Sequence, residues 1–343
     1  MKRAVIFGVT GQDGSYLSEL LLLKGYKVIG VARRASSDNT TRIAHLLSER
    51  RFTLVQGDVT DMSSIHRIIA KTVPHEVYNL AAQSHVWTSF SQPVTTWDIT
   101  GQGCLNILEV IRNMDRSPKF YQASSSEMFG DCYDCYDDEC AEKYQNEETS
   151  MNPQSPYAVS KLAAYHLTKL YRRSYGIYTC NGILFNHESE RRGDSFLTKK
   201  VSRYVSDLHF AKSEGRFIPK LKLGNLYSMR DWGHAEDYVY AMWLMMQQDR
   251  SNDYVISTGL THTVEEYVIE AFKCINIYEY TDYVEIDQSL YRPSEVAYLR
   301  GDYGKAKEGL GWEPKISFKQ LVQRMVNNDI QSRLQHGEGA IKA

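Results

Sequence analysis

The chain has 343 residues, long enough for a substantial core and two subdomains, and its 40 Lys and Arg nearly balance 42 Asp and Glu. That balance excludes a whole-molecule field for nucleic acid or an anionic membrane surface, and no apolar run approaches the roughly 18 residues that a bilayer span needs. Six Cys in so long a chain do not make a disulfide framework, so a reduced, cytoplasmic protein is the default expectation.

The first residues are basic and then apolar, like a signal peptide. The apolar part is too short, and it runs into a Gly-rich turn with no small-residue cleavage site. Residues 2–7 therefore read as a buried strand. Gly8-Val9-Thr10-Gly11-Gln12-Asp13-Gly14 follows at once, and Tyr16, Leu17 and Leu20 to Leu23 mark an amphipathic helix ending at Gly25. Strand, glycine turn and helix together suit a dinucleotide. Gly lets the backbone approach a pyrophosphate, and the helix N-terminus offers free N–H groups.

Residues 27–32 form the second expected strand. About 20 residues past the glycines, an NAD-binding unit carries an acid for the ribose 2′-hydroxyl. Arg33-Arg34 stands there, followed by Ala35-Ser36-Ser37. Two cations cannot accept a hydrogen bond, but they can hold a 2′-phosphate, which favours NADP. Residues 52–56 form a third strand, and Asp58 just after it can reach the adenine amino group. A fourth strand from Glu76 runs into a turn of small residues containing Ala81, Ala82 and Ser84, which let backbone lie against the cofactor. Residues 98–112 form a helix with Leu105, Leu108 and Ile111 on one face. A fifth strand, 119–123, ends in Ser124-Ser125-Ser126-Glu127. Catalytic hydroxyls belong at the carboxyl ends of strands in such a sheet.

Pro153-Gln154-Ser155-Pro156-Tyr157-Ala158-Val159-Ser160-Lys161 is the stretch to which these features lead. Tyr157 and Lys161 are four apart, one turn apart on one helix face. An ammonium beside a phenol favours the phenolate and lowers its pKa. Such a Tyr can take a proton from an alcohol as the carbon gives up a hydride. The helix continues to Tyr175 and stops at Gly176, before a sixth strand at 178–184. From His187 the chain is more polar, with Arg191, Arg192, Lys199, Lys200 and Arg203 close together; such a run is usually a solvated face, and a substrate carrying a diphosphate would give some of these cations a partner. A helix at 236–247 is expected to pack back on the first domain, and a strand at 254–258 to join the sheet. A helix at 264–275 follows, and Arg292 and Glu295 then lie three apart.

The glycine turn, the Ser cluster and Tyr157-x-x-x-Lys161 resemble the extended short-chain dehydrogenase/reductases that act on nucleotide sugars. Within them, Gly8 to Leu17, Arg33 to Ser37, Cys180 to Ser189, Arg230-Asp231-Trp232-Gly233-His234-Ala235 and Arg292-Pro293-Ser294-Glu295-Val296 resemble the GDP-mannose 4,6-dehydratase family over nearly the whole chain. The resemblance implies an α/β fold: a doubly wound, parallel Rossmann-type sheet with a smaller C-terminal substrate subdomain. Residues 1–187 would bind NADP, with a segment near 232–258 returning to them. Residues 188–335 would bind the nucleotide sugar, and 336–343 would be a frayed tail. It implies Ser125, Glu127, Tyr157 and Lys161 as catalytic. The implied cofactor site is Gly8, Thr10, Gly11, Gln12, Asp13, Gly14, Arg33, Arg34, Asp58, Val59, Leu80, Ala81, Ala82, Ser84, Tyr157, Lys161, His187 and Arg192. Ser84, Ser125, Glu127, Asn186, Lys200, Arg230, Arg292 and Glu295 would meet GDP-mannose, or a GDP-heptose as the alternative. No metal is implied. A homodimer or homotetramer is, with the loop at Arg191 and Arg192 reaching a neighbouring subunit's cofactor.

Three features depart from the family pattern. Residues 131–148 make a longer link between Glu127 and Tyr157, rich in acids and carrying Cys132, Cys135 and Cys140, a surface loop rather than a metal site by residue type. Glu190 stands where a Pro is expected, which would loosen that loop. Ser125 replaces a Thr and keeps the hydroxyl.

Overall fold

The structure, a computed structural model, describes residues 1–136 and 142–339. Seven strands form one parallel sheet: β1 (Arg3–Phe7), β2 (Lys27–Ala32), β3 (Phe52–Gln56), β4 (Glu76–Asn79), β5 (Lys119–Ser125), β6 (Thr179–Leu184) and β7 (Tyr254–Ile256). Their order is β7-β6-β5-β4-β1-β2-β3. The order reverses between β1 and β4, which opens a crevice at their carboxyl ends.

The short apolar runs become strands because both faces of the sheet are covered. Alternate residues of β1 serve different cores. Ala4 and Ile6 join one with Leu17 and Leu21 of helix α1 (Gln12–Leu23), and Val5 and Phe7 join the other with Ile65 and Ile69 of α2 (Met62–Thr72). α3 (Gly103–Arg112) and α4 (Pro156–Tyr175) complete the second face. α4 starts where expected. The Ser155 side chain accepts the Ala158 amide, Pro156 occupies the first turn, and Gly176 at φ 66° ends the helix. The helix expected over 98–112 is α-helical only from Gly103. Asp98–Gln102 is a π turn that runs close beside Trp97, near Gly101, and Gly103 sits against Val59.

The remaining chain builds a third core. α5 (Leu197–Ser213), α6 (Ala235–Gln247), α7 (Val264–Lys273) and α8 (Phe318–Gly339) follow in order. α6 returns to α1 as expected, with Met242 and Met245 in the first core. α5, α7 and α8 bury Val201, Val268, Leu321 and Met325 together. α8 extends to Gly339. Its regular backbone bonding runs on beyond the packed turn at Met325 and Val326, and 340–343 lie outside the described residues. Two short segments cross from one part to the other: Asn186–Glu188 pairs in parallel with Trp232–His234. Two of the stretches that carry the resemblance, Cys180 to Ser189 and Arg230 to Ala235, are thus hydrogen-bonded neighbours.

Candidate active site

The crevice at the carboxyl ends of β1, β4, β5 and β6 is a cleft of about 550 Å³. Its floor is the glycine turn. Gly8 has φ 82°, and a side chain there would meet the Leu80 carbonyl and the Ala81 amide at about 3 Å. A side chain on Gly14 would run into the Gly8 carbonyl at 2.4 Å. Gly11, Gln12 and Asp13 line the cleft with them, and Leu80, Ala82 and Ser84 form the facing wall. Gly11 opens α1, so the free amides of its first turn face the same space.

β5 carries Ser125 and Glu127 to this cleft, and α4 brings Tyr157 and Lys161. All four are buried. The Glu127 amide donates to Ser125 Oγ at 3.3 Å, and Ser125 also bonds the Tyr157 phenol. Lys161 Nζ donates to the Ala123 carbonyl at 2.6 Å and lies 5.8 Å from the centre of the Tyr157 ring. The expected lowering of the Tyr157 pKa is not found. Burial pushes the phenol up to about 12; the Ser125 hydrogen bond pulls it down and the Glu127 charge adds to the rise. Burial brings the Lys161 amine down to about 8. Burial therefore governs both groups, and the four-residue spacing on which the expectation rested does not record it.

The segment after β6 folds over the glycine turn. His187 Nε2 meets Asp13 Oδ2 at 2.8 Å, and its Nδ1 meets the Phe185 carbonyl at 2.8 Å. Burial disfavours both charged forms, yet the pairing prevails: Asp13 is held below the usual carboxyl range and His187 above the usual imidazole range. Arg192 lines the cleft and pairs with buried Glu188 at 2.8 Å. Arg191 donates to Ser15 Oγ and pairs with Glu19. Within the single chain this loop is tied to α1 and to Glu188. Glu190 does not loosen it. Its carboxylate accepts the Tyr16 hydroxyl at 2.8 Å and faces His234 Nε2 at 3.2 Å.

The far end of the cleft is built by Asn186, Lys200, Arg230, Arg292 and Glu295. Arg230 is buried and pairs with Glu295 at 3.2 Å. Arg292 lies 3.9 Å from Glu295 and 3.6 Å from Glu127. Lys222, Gly224 and Asn225, with Ser228 and Leu290, line the same end and escaped the sequence reading. The Gly224-Asn225 pair is a turn signal that could have located that loop. His85, Trp87 and Phe196 were also missed; Phe196 meets His85 edge to face.

Six expected cofactor residues do not line the cleft. Arg33 and Arg34 are exposed outside it. Asp58 accepts the amide and hydroxyl of Thr60, and Val59 is buried in the second core. The Thr10 carbonyl accepts from Arg42, and the Ala81 amide is bound to Asn79 Oδ1. Among the described residues no cluster of three His, Cys, Asp or Glu could hold a metal ion; Cys140 lies outside them.

Comparison with known proteins places the chain by fold and by sequence. In fold, the chain is similar to a dTDP-glucose 4,6-dehydratase from Bacillus anthracis solved with NAD (20% identity, TM-score 0.81, 97% of this chain and 98% of that one). It is likewise similar to RMD from Pseudomonas aeruginosa solved with NADPH (22% identity, TM-score 0.75, 97% and 100%). In sequence it is 48% identical over 340 residues to GDP-mannose 4,6 dehydratase 2 of Arabidopsis thaliana, covering 96% of this chain and 87% of that protein. It is 43% identical over 369 residues to GDP-mannose 4,6-dehydratase of Yersinia enterocolitica, covering 98% and 96%. The family model described as GDP-mannose 4,6 dehydratase matches residues 5–325, and the chain belongs to that family.

Proposed function

We propose that the chain removes water from GDP-mannose to give GDP-4-keto-6-deoxymannose, with NADP held on the glycine turn. The observation that carries this reading is the convergence of Ser125, Glu127, Tyr157 and Lys161 in the cleft floored by Gly8, Gly11 and Gly14. The floor suits a dinucleotide, because Gly8 and Gly14 pack backbone against backbone where a side chain would clash, and this tight turn leads into the N-terminus of α1. Solved structural relatives that bind NAD or NADPH support a nicotinamide. The choice of NADP rests on Arg33 and Arg34. No observation favours a GDP-heptose over GDP-mannose.

When bound, the nicotinamide would supply a hydride acceptor for C4 and a hydride donor to C6 later in the same turnover, with a solvent-derived proton added at C5. The chain's own groups handle the protons. Tyr157 takes the proton of the C4 hydroxyl, and Ser125 hydrogen-bonds that oxygen. Lys161 stabilises the phenolate. A C4 ketone acidifies the C5 hydrogen; Glu127 removes it and then protonates the departing C6 hydroxyl. One carboxylate can accept and donate from one position. Arg230, Arg292 and Lys200 offer charge to the GDP diphosphate.

In this reading residues 1–187, with the return near 232–258, hold the cofactor and 188–335 the sugar nucleotide. A homodimer or homotetramer fits the exposed Val159 and Leu170, eleven residues apart on one face of α4. Light scattering tests that assembly, and a monomer at micromolar concentration contradicts it. A cytoplasmic location is proposed, and among the described residues no helix is long and apolar enough to cross a membrane. The function is tested by mass analysis of products from a panel of nucleotide sugars. Loss of one water from GDP-mannose alone supports it, and turnover of another sugar in preference contradicts it.

A further inference from the structure

We propose that Glu190 is a positioning residue that pins the segment 187–192 across the glycine turn and so retains the cofactor between turnovers. The proposal rests on the reading of the cleft as a nicotinamide site. One carboxylate oxygen, Oε2, serves two elements. It accepts the Tyr16 hydroxyl of α1 at 2.8 Å and faces His234 Nε2 at 3.2 Å. His234 is fully buried and caps α6, with Nδ1 accepting the Glu236 amide at 3.2 Å. That bond leaves the imidazole proton on Nε2, the nitrogen that faces Glu190.

The same segment is tied to the first turns of α1 at neighbouring positions. His187 meets Asp13 at 2.8 Å, Ser189 Oγ donates to Gln12 Oε1 at 2.8 Å, and Arg191 donates to Ser15 Oγ at 3.0 Å. Glu190 differs from these because it joins α1 to a third element, the start of α6. Its backbone carbonyl also accepts Lys199 Nζ from α5 at 3.0 Å. His187 and Arg192, at the ends of the segment, line the cleft with the glycines. A ligand on the glycine turn is therefore flanked by a strap that opens only when these bonds break. Retention suits the chemistry, since a cofactor reduced and reoxidised within one turnover has no need to exchange.

The test follows bound NADPH by fluorescence as excess NADP displaces it from the full chain. Two hydrogen bonds to a charged acceptor are lost in Glu190→Ala, and the release rate should rise about 10- to 100-fold. Glu190→Gln keeps an acceptor oxygen without the charge and should fall between. Tyr16→Phe removes one hydroxyl and should release several-fold faster, so the idea stays testable if Glu190→Ala fails to fold. The KM for the sugar nucleotide should change less than the release rate. A Tyr16→Phe or Glu190→Ala protein that melts earlier but releases NADPH at the wild-type rate overturns the proposal. A wild-type chain that binds no nicotinamide overturns the cofactor reading instead.

Discussion

Arg292 Nη1 lies 3.6 Å from Glu127 Oε1, so the carboxylate assigned to elimination is paired with a cation from a segment 165 residues later in the chain, and through Glu295 this reaches buried Arg230. Arg292 and Glu295, three apart in sequence, lie 3.9 Å apart; the shorter contacts are Arg230 to Glu295 and Arg292 to Glu127. In the proposed reading, a substrate diphosphate at this end of the cleft would compete with Glu127 for Arg292. Loss of one charge-assisted contact is worth roughly 1.5–3 kcal/mol. Arg292→Ala should raise the KM for GDP-mannose about 10- to 100-fold. Initial rates against substrate concentration check this, and an unchanged KM removes Arg292 from the substrate site.

Lys161 is costly to bury. Its amine titrates near 8 against an ordinary 10.5, and burial is the main cause. Below about 8 the folded chain holds an ammonium that the unfolded chain would solvate better. Stability attributable to this group should therefore rise between pH 8 and 10.5. Lys161→Met should raise the melting temperature at pH 7 while abolishing turnover. The shift caps the gain near about 3 kcal/mol, and the Ala123 carbonyl, left without its donor, offsets about 1 kcal/mol of it. Calorimetry of the two proteins decides; a Met variant less stable at pH 7 contradicts the argument.

Glu190 has the opposite sign. Burial works against its charge, but the His234 hydrogen bond and the other groups around it bring the carboxyl down to about 2 from 4.5. Its contribution is complete above about pH 4.5 and is lost as the pH falls towards 2. Wild type should exceed Glu190→Gln by up to about 3 kcal/mol at pH 6 and by clearly less at pH 3.5. Urea unfolding at both pH values measures the difference, and a gap independent of pH rules out an ionic role.

Arg33 and Arg34 are exposed and do not line the cleft, so the proposed NADP preference would rest on a contact outside it. Arg33→Ala should weaken NADP about 10- to 100-fold and leave NAD nearly unchanged. Titration of both proteins with both cofactors checks it. Equal affinity of wild type for NAD and NADP contradicts the assignment.

The parallel sheet was legible because a strand covered on both faces reads as a short apolar run, as from Ala4 to Phe7. Gly8, Gly11 and Gly14 were legible because close backbone approach demands glycine. Local spacing does not record partners far along the chain. The Asn186 to Trp232 pairing, the Glu127 to Arg292 contact and the anchoring of Glu190 by Tyr16 and His234 all fall in that class. The Tyr157 pKa failed for a related reason: four-residue spacing fixes a neighbour but says nothing of the depth of burial, which dominates here. The Lys222 to Asn225 loop carries only a turn signal, and its place in the cleft depends on pairing of Leu221–Leu223 with Val284–Ile286.

Proton transfer at C5 tests the central claim most directly. Turnover of GDP-mannose in deuterium oxide should give a 4-keto-6-deoxy product with one deuterium at C5. Tyr157→Phe should give neither product nor reduced-cofactor absorbance. Glu127→Gln keeps the shape and loses the base, so it should accumulate reduced cofactor, release little product and leave C5 unlabelled. A Glu127→Gln protein that turns over and labels C5 like wild type would contradict the account, because another group would then be the base.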